Sequence, residues 1–209
     1  MNEVVEPTVW PKNSKWNIKK AKDDKLSREV WELTKPHIFS KRNAIDVGTR
    51  FGGVAHYMCQ EFNMTYCFDI KKKLAFTESV IKEKVTHYNC PLGYKFKIFK
   101  LDEWRANPDK GAKWHHNFKQ EWLDKPINID DFNFENIDYY KIDTDGSEDT
   151  IIAGSEQTIK THTPLVVIEA FKESQIKAVE MLIDWGYKVM KTKEDDKRQD
   201  KVLLHESRL

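Results

Sequence analysis

Short apolar runs that end in glycine or an acid alternate along this chain with stretches of helical periodicity, an order that few folds accept. AIDVG (44–48) is such a run, and GVAHYMCQEF follows it with Val54, Met58 and Phe62 four apart, the spacing of a helix lying on that strand. TYCFDI predicts a second strand ending in an acid, and VTHYNC a third. IDYYKID, SEDTIIAGSEQTIKTHT and PLVVIEAF read as strand, helix, strand. SQIKAVEMLIDWG is the cleanest helix, with Ser174 as its cap, Ile176, Val179 and Ile183 on one face, and Gly186 at its end. YKVMKT and KVLLH close the chain as a hairpin-like pair across a charged loop. Upstream, DDKLSREVWELTKPHIF repeats Leu26, Val30 and Leu33 at helical spacing between two acids and Pro36.

Such alternation predicts an open α/β sheet, mostly parallel, with helices on both faces and an antiparallel edge strand from the closing hairpin. The 209 residues suit a single domain, 23–209, preceded by an arm, 1–22, without periodicity. The basic, aromatic stretch 94–125, with His115 and His116, fits no strand–helix unit and reads as an insertion. A formal net charge of +1 excludes a general nucleic-acid binder held by bulk electrostatics. No apolar run suffices for a bilayer, and the N-terminus lacks the plan of a signal peptide, so the expectation is a cytoplasmic protein without a membrane partner. Three cysteines, Cys59, Cys67 and Cys90, have no paired metal-ligand spacing and read as reduced thiols. The abundance of lysine and asparagine fits an AT-rich genome; if it is viral, the compartment is the host cytoplasm.

Ligands of such sheets bind beyond the carboxyl ends of the strands, which directs attention to the residues just after each run. Asp46, Gly48 and Gly52 form D-x-G-x-x-x-G after the first. Glycine permits a tight turn that approaches a ligand, and the next helix presents its N-terminus there. The nicotinamide fingerprint is absent, because position 50 is Arg, and so is the phosphate loop. The spacing suits S-adenosylmethionine, with an ordinary tight turn as the competing reading. Asp69 ends the second run, where an acid can accept both ribose hydroxyls of a nucleoside. Residues 126–150 hold eight acids against one base, Lys141. Ser147, Glu148 and Asp149 are explained as the cap and first turn of the next helix. Asp143 and Asp145 are not, and could orient a nucleophile, act as a general base or bind a divalent metal. Glu169 ends a run that would not carry a buried acid without a hydrogen-bonding role.

AIDVGTRFGG, the acid of CFDI and above all YYKIDTDGSEDTIIAGSEQTIKTHTPLVVIE resemble the FkbM-type methyltransferases over about residues 44–171. Asp46, Gly48 and Gly52 match that family's first block. Lys141, Ile142, Asp143, Gly146 and Glu148 match its second, Gly154 falls in its helix, and Glu169 matches its last. Thr49-Arg50 replaces the usual Ala-Asn, and Asp145 stands where the family has Glu. The resemblance implies the Rossmann-like class I methyltransferase fold, S-adenosylmethionine as donor and O-methylation of a sugar, polyketide or related small molecule.

The expected donor contacts are Asp46, Gly48, Thr49, Gly52, Asp69 and Ile70, with Asn89 and Leu92 near the adenine. Asp143 is the foremost catalytic candidate, with Asp145, Lys141 and Glu169 around it; a metal, if one is used, would fall to Asp143 and Asp145. The expected partner is a small-molecule or glycan acceptor. The rival within enzymes is RNA 2′-O-methylation, which the acids of 126–150 oppose, and the rival of another class is a non-catalytic binding module on the same fold.

Overall fold

The computed structural model describes residues 25–50, 52–69, 83–88, 90, 92–93, 127–144, 146–195 and 198–209, the side chains of 191–195 and 198 excepted. The arm 1–22, the insertion 94–125 with its two histidines, and the positions Ile70, Asn89 and Asp145 lie outside them.

The helix α1 (Lys25–Thr34) leads into β1 (Asn43–Val47), α2 (Gly53–Glu61), β2 (Met64–Phe68) and β3 (Val85–Tyr88). Then come β4 (Ile137–Ile142), the short helices α3 (Glu148–Ala153) and α4 (Glu156–His162), β5 (Leu165–Glu169), α5 (Glu173–Asp184), β6 (Tyr187–Asp195) and β7 (Arg198–His205). The seven strands form one sheet in the order β3-β2-β1-β4-β5-β7-β6. β1 to β5 pair in parallel, and β7 runs antiparallel between β5 and β6. The predicted architecture is therefore observed, with one refinement: the antiparallel strand stands one position in from the edge, and β6 is the edge itself. The chain runs outward from β1 to β3 and returns on the other side of β1, so the order reverses between β1 and β4. That reversal is where the carboxyl ends of an open sheet offer a crevice.

Side chains alternate across the sheet, and the two cores follow from it. Ala44, Tyr139, Leu165, Val167, Val202 and Leu204 face α1 and α2, meeting Val30, Trp31, Val54, Met58 and Phe62. Ile45, Val47, Tyr140, Ile142, Val166 and Ile168 face α3 to α5. The adjacent tyrosines of β4 show how both faces satisfy polar atoms. Tyr139 hydrogen-bonds Thr34 Oγ1 at 3.1 Å on one face, and Tyr140 hydrogen-bonds Ser155 Oγ at 2.8 Å on the other. Both partner hydroxyls already donate to helix carbonyls, of Trp31 and Ile151, so the tyrosines are the donors.

Five helical expectations are corrected. The stretch predicted as one helix after β4 breaks at Gly154–Ser155 into α3 and α4, and Ser155 at the break supplies the hydroxyl that Tyr140 needs. Ser147 occupies the N-cap of α3, but its side chain makes no capping bond. Ser174 lies inside α5, whose N-cap is Lys172. The buried stripe of α5 is Gln175, Ala178, Val179 and Leu182, whereas Ile176 and Ile183 are 46% and 49% exposed. That stripe keeps the i, i+3, i+4, i+7 spacing of a helix face, but its first member is polar, so apolar residues alone gave the wrong phase. In α1, likewise, Val30, Trp31 and Thr34 are buried and Leu26 is exposed.

Candidate active site

The turn after β1 is shaped by contact with the end of β4. Gly48 has φ +76°, and a Cβ on it would lie 1.8 Å from the carbonyl oxygen of Asp143. No side chain fits there, so the ends of β1 and β4 meet as bare backbone, fastened by the Asp143 amide donating to the Val47 carbonyl at 3.0 Å. Arg50 and Gly52 also take positive φ, 55° and 85°. Thr49 ties the turn down by donating its hydroxyl to the Asp46 carbonyl at 2.7 Å. The turn is pinned to β2 by the Gly48 amide on the Phe68 carbonyl at 2.9 Å and the Arg50 amide on Asp69 Oδ2 at 2.6 Å. Asp69 thus carries structural work in addition to any contact with a nucleoside.

Asp46 is fully buried. Its Oδ1 receives Lys141 Nζ at 3.2 Å, across 95 residues of sequence. The same ammonium stands 3.8 Å from Asp143 Oδ2, whose side chain is 28% exposed. Burial raises the Asp46 carboxyl above its ordinary value, and Lys141 opposes that rise. Asp46 Oδ2 has no hydrogen-bond partner among the described residues. Lys141 is therefore a bridge between the buried acid of β1 and the more open acid after β4.

A second acidic group lies beside it. Glu169 ends β5, and the register sets it opposite Asp200 of β7; both are buried. Glu148, fully buried in the first turn of α3, accepts the Thr144 amide at 3.0 Å and the Gly146 amide at 3.4 Å through Oε1. It thereby folds the loop after β4 back on itself, a role that its assignment to the helix dipole does not foresee. Gln175 of α5 donates to Glu148 Oε1 at 3.2 Å and to Glu169 Oε2 at 3.3 Å. Neither Gln175 nor Asp200 is foreseen in the sequence. The signal for Gln175 was a polar residue on what proves to be the core stripe of α5.

The structure thus brings Asp46, Gly48, Thr49, Gly52, Asp69, Lys141, Asp143 and Glu169 to the carboxyl ends of β1, β2, β4 and β5. Leu92 is 6% exposed and packs within the core that α3 to α5 share. Among the described residues no group of three or more His, Cys, Asp or Glu is disposed to hold a metal ion, and no helix is long and apolar enough to cross a membrane. Cys59, Cys67 and Cys90 are buried and form no disulfide; burial pushes the Cys90 thiol up to about 12.

The methyltransferase FkbM domain matches residues 121–189. No curated protein matches the chain in sequence. Among solved structures, the chain resembles the methyltransferase FkbM of Methylobacillus flagellatus with TM-score 0.51 and 15% identity, over 79% of this chain and 44% of that one. The chain thus spans less than half the length of that relative. It also resembles the precorrin-6y C5,15-methyltransferase of Geobacter metallireducens with TM-score 0.50 and 14% identity, over 93% of each chain. The matched segment holds β4, Lys141, Asp143, Glu148, Glu169 and Gln175, and the likeness to the two solved structures is one of fold.

Proposed function

We propose that this chain is an S-adenosylmethionine-dependent O-methyltransferase whose acceptor is a hydroxyl of a sugar or another small molecule. The observation that carries this reading is the partly exposed Asp143 carboxylate beside the buried Lys141–Asp46 pair, at the point where the strand order reverses. The family uses S-adenosylmethionine, and the residues fit it. The glycine turn leaves bare backbone over β1, Asp46 Oδ2 is left to receive a donor, and Asp69 offers a carboxylate at the end of β2. Gly48, Thr49, Gly52 and Asp69 would hold that donor.

When bound, S-adenosylmethionine supplies a methyl carbon activated by a cationic sulfonium. The chain must hold an acceptor oxygen in line and receive its proton. Asp143 would accept that proton on its carboxylate, which Lys141 Nζ neighbours at 3.8 Å. Glu169 would orient the acceptor hydroxyl from the neighbouring strand. Acids at these strand ends favour a neutral acceptor over RNA, whose phosphates they would repel.

The test is transfer of the label from methyl-labelled S-adenosylmethionine to a panel of monosaccharides, with a short RNA as the competing acceptor. We expect a methyl ether on a sugar hydroxyl. Asp143→Asn should lower turnover at least about a hundredfold while donor affinity stays within about twofold. Label on RNA alone, or parental turnover in Asp143→Asn, would overturn the reading.

A further inference from the structure

Gln175 is fully buried and uses its amide in four directions. Its Oε1 accepts the backbone amides of Phe171 at 3.0 Å and Lys172 at 2.9 Å. Backbone N–H groups only donate, so the oxygen must face them and the NH2 must face the other way. There it meets Glu148 Oε1 at 3.2 Å and Glu169 Oε2 at 3.3 Å. Nitrogen and oxygen cannot be exchanged, so the NH2 donates to one oxygen of each acid.

We propose that Gln175 is a positioning residue. It spaces Glu148 from Glu169 by donating to one oxygen of each, and so fixes the orientation of both acids at the cleft. The inference deepens the reading of Glu169 as a residue of the acceptor site and rests on it for its functional consequence. Without that amide the two acids would lose the donor they share, and the turn bearing Glu169, Ala170 and Phe171 would lose the side chain that anchors it to α5. Among the described residues, the charged groups around the clamp include Glu148 from α3, Glu169 from β5, Asp200 opposite it on β7, and Lys172 at the start of α5. Lys141 stands on the neighbouring strand β4.

Two substitutions of nearly unchanged shape test the assignment in the full chain. Gln175→Glu keeps the acceptor for Phe171 and Lys172 but needs a proton to donate toward either acid. It should melt within a few degrees of the parent at pH 5 and at least about 5 °C further below it at pH 8. Gln175→Met removes the donors without adding a titrating group, so its deficit should stay constant between those values. A Gln175→Glu deficit that does not grow with pH overturns the proposal, and this arm needs no acceptor. In the second arm, S-adenosylhomocysteine release is followed with the monosaccharide panel. Gln175→Met should lower kcat at least about tenfold with the affinity for S-adenosylhomocysteine held within about threefold. Parental kcat in that variant also overturns the proposal. If the parent turns over no sugar while Gln175→Glu melts as described, the acceptor reading falls and the Gln175 assignment stands.

Discussion

Two acidic clusters meet at the carboxyl ends of this sheet, and they are held by opposite means. At β1 and β4 a buried ammonium, Lys141, stands between Asp46 and Asp143. At β4 and β5 a neutral amide, Gln175, stands between Glu148 and Glu169. The first cluster neutralises charge, and losing its cation would leave an uncompensated carboxylate in a dry site. The second meets its lone pairs with a neutral amide, so Gln175 orients the two acids without adding a countercharge. One cluster is therefore an anchor for the strand ends, and the other is a device for orienting acids beside the cleft.

The largest effect we expect comes from breaking the junction that joins the two. Gly48→Ala puts a methyl group where the Asp143 carbonyl already lies 1.8 Å away, on a backbone at φ +76°. Either the turn or the end of β4 must move, at a cost above about 4 kcal/mol, read as loss of cooperative unfolding or a large fall in the denaturant midpoint. An alanine variant with parental stability would mean that the strand ends do not meet as described. Next comes Lys141→Met, which keeps the bulk and removes the charge. Breaking a buried pair from one side costs roughly 3–5 kcal/mol. We expect a loss in that range at neutral pH and above, narrowing toward acid as Asp46, held above its ordinary value by burial, takes up a proton.

Acid titration of either cluster is read against a background from β3, which can be removed. Burial holds His87 down at about 4, whereas a histidine in the unfolded chain titrates near 6.5. The unfolded state therefore binds the proton first, and stability falls as pH drops from about 6.5 toward 4. The fall is about 1.4 kcal/mol per unit, of order 3 kcal/mol in all. His87→Phe should flatten that part of the curve, leaving any acid-linked change near pH 4 to the carboxylates. If the slope between pH 6.5 and 4 survives the substitution, it arises elsewhere and the clusters must be reconsidered as its source.

What could be seen in advance follows from the range of each interaction. The strands were legible because each is a short apolar run with a punctuating residue, and Val54, Met58 and Phe62 were legible because local spacing sets one helix face. The acids at the strand ends were legible because an apolar run that closes on a charge leaves little else for that charge to do. What joins them was not. The pairing of Lys141 with Asp46 spans 95 residues, and nothing in either neighbourhood encodes it. Glu148 was assigned to a helix dipole, a sufficient local reason that concealed its bonds to Thr144 and Gly146. Gln175 was missed for the same reason that Ile176 and Ile183 were misplaced: a polar residue satisfied on all sides behaves as core, and hydropathy cannot show that satisfaction.

The smallest expected effect discriminates best between the two clusters. Glu148→Gln keeps an oxygen for the amides of Thr144 and Gly146 and turns an NH2 toward the side where Oε2 is buried without a hydrogen-bond partner among the described residues. Exchanging charge-assisted for neutral hydrogen bonds weakens them, while removing one of two neighbouring negative charges relieves Glu169. The opposing terms should leave stability within about 1 kcal/mol of the parent, measured by denaturant unfolding at pH 7. Neutralising one member is thus nearly silent in the amide-held cluster and severe in the ammonium-held one. A Glu148→Gln loss as large as that of Lys141→Met would mean that a cation shares the second cluster too, and that the amide of Gln175 only fills space between charges already balanced.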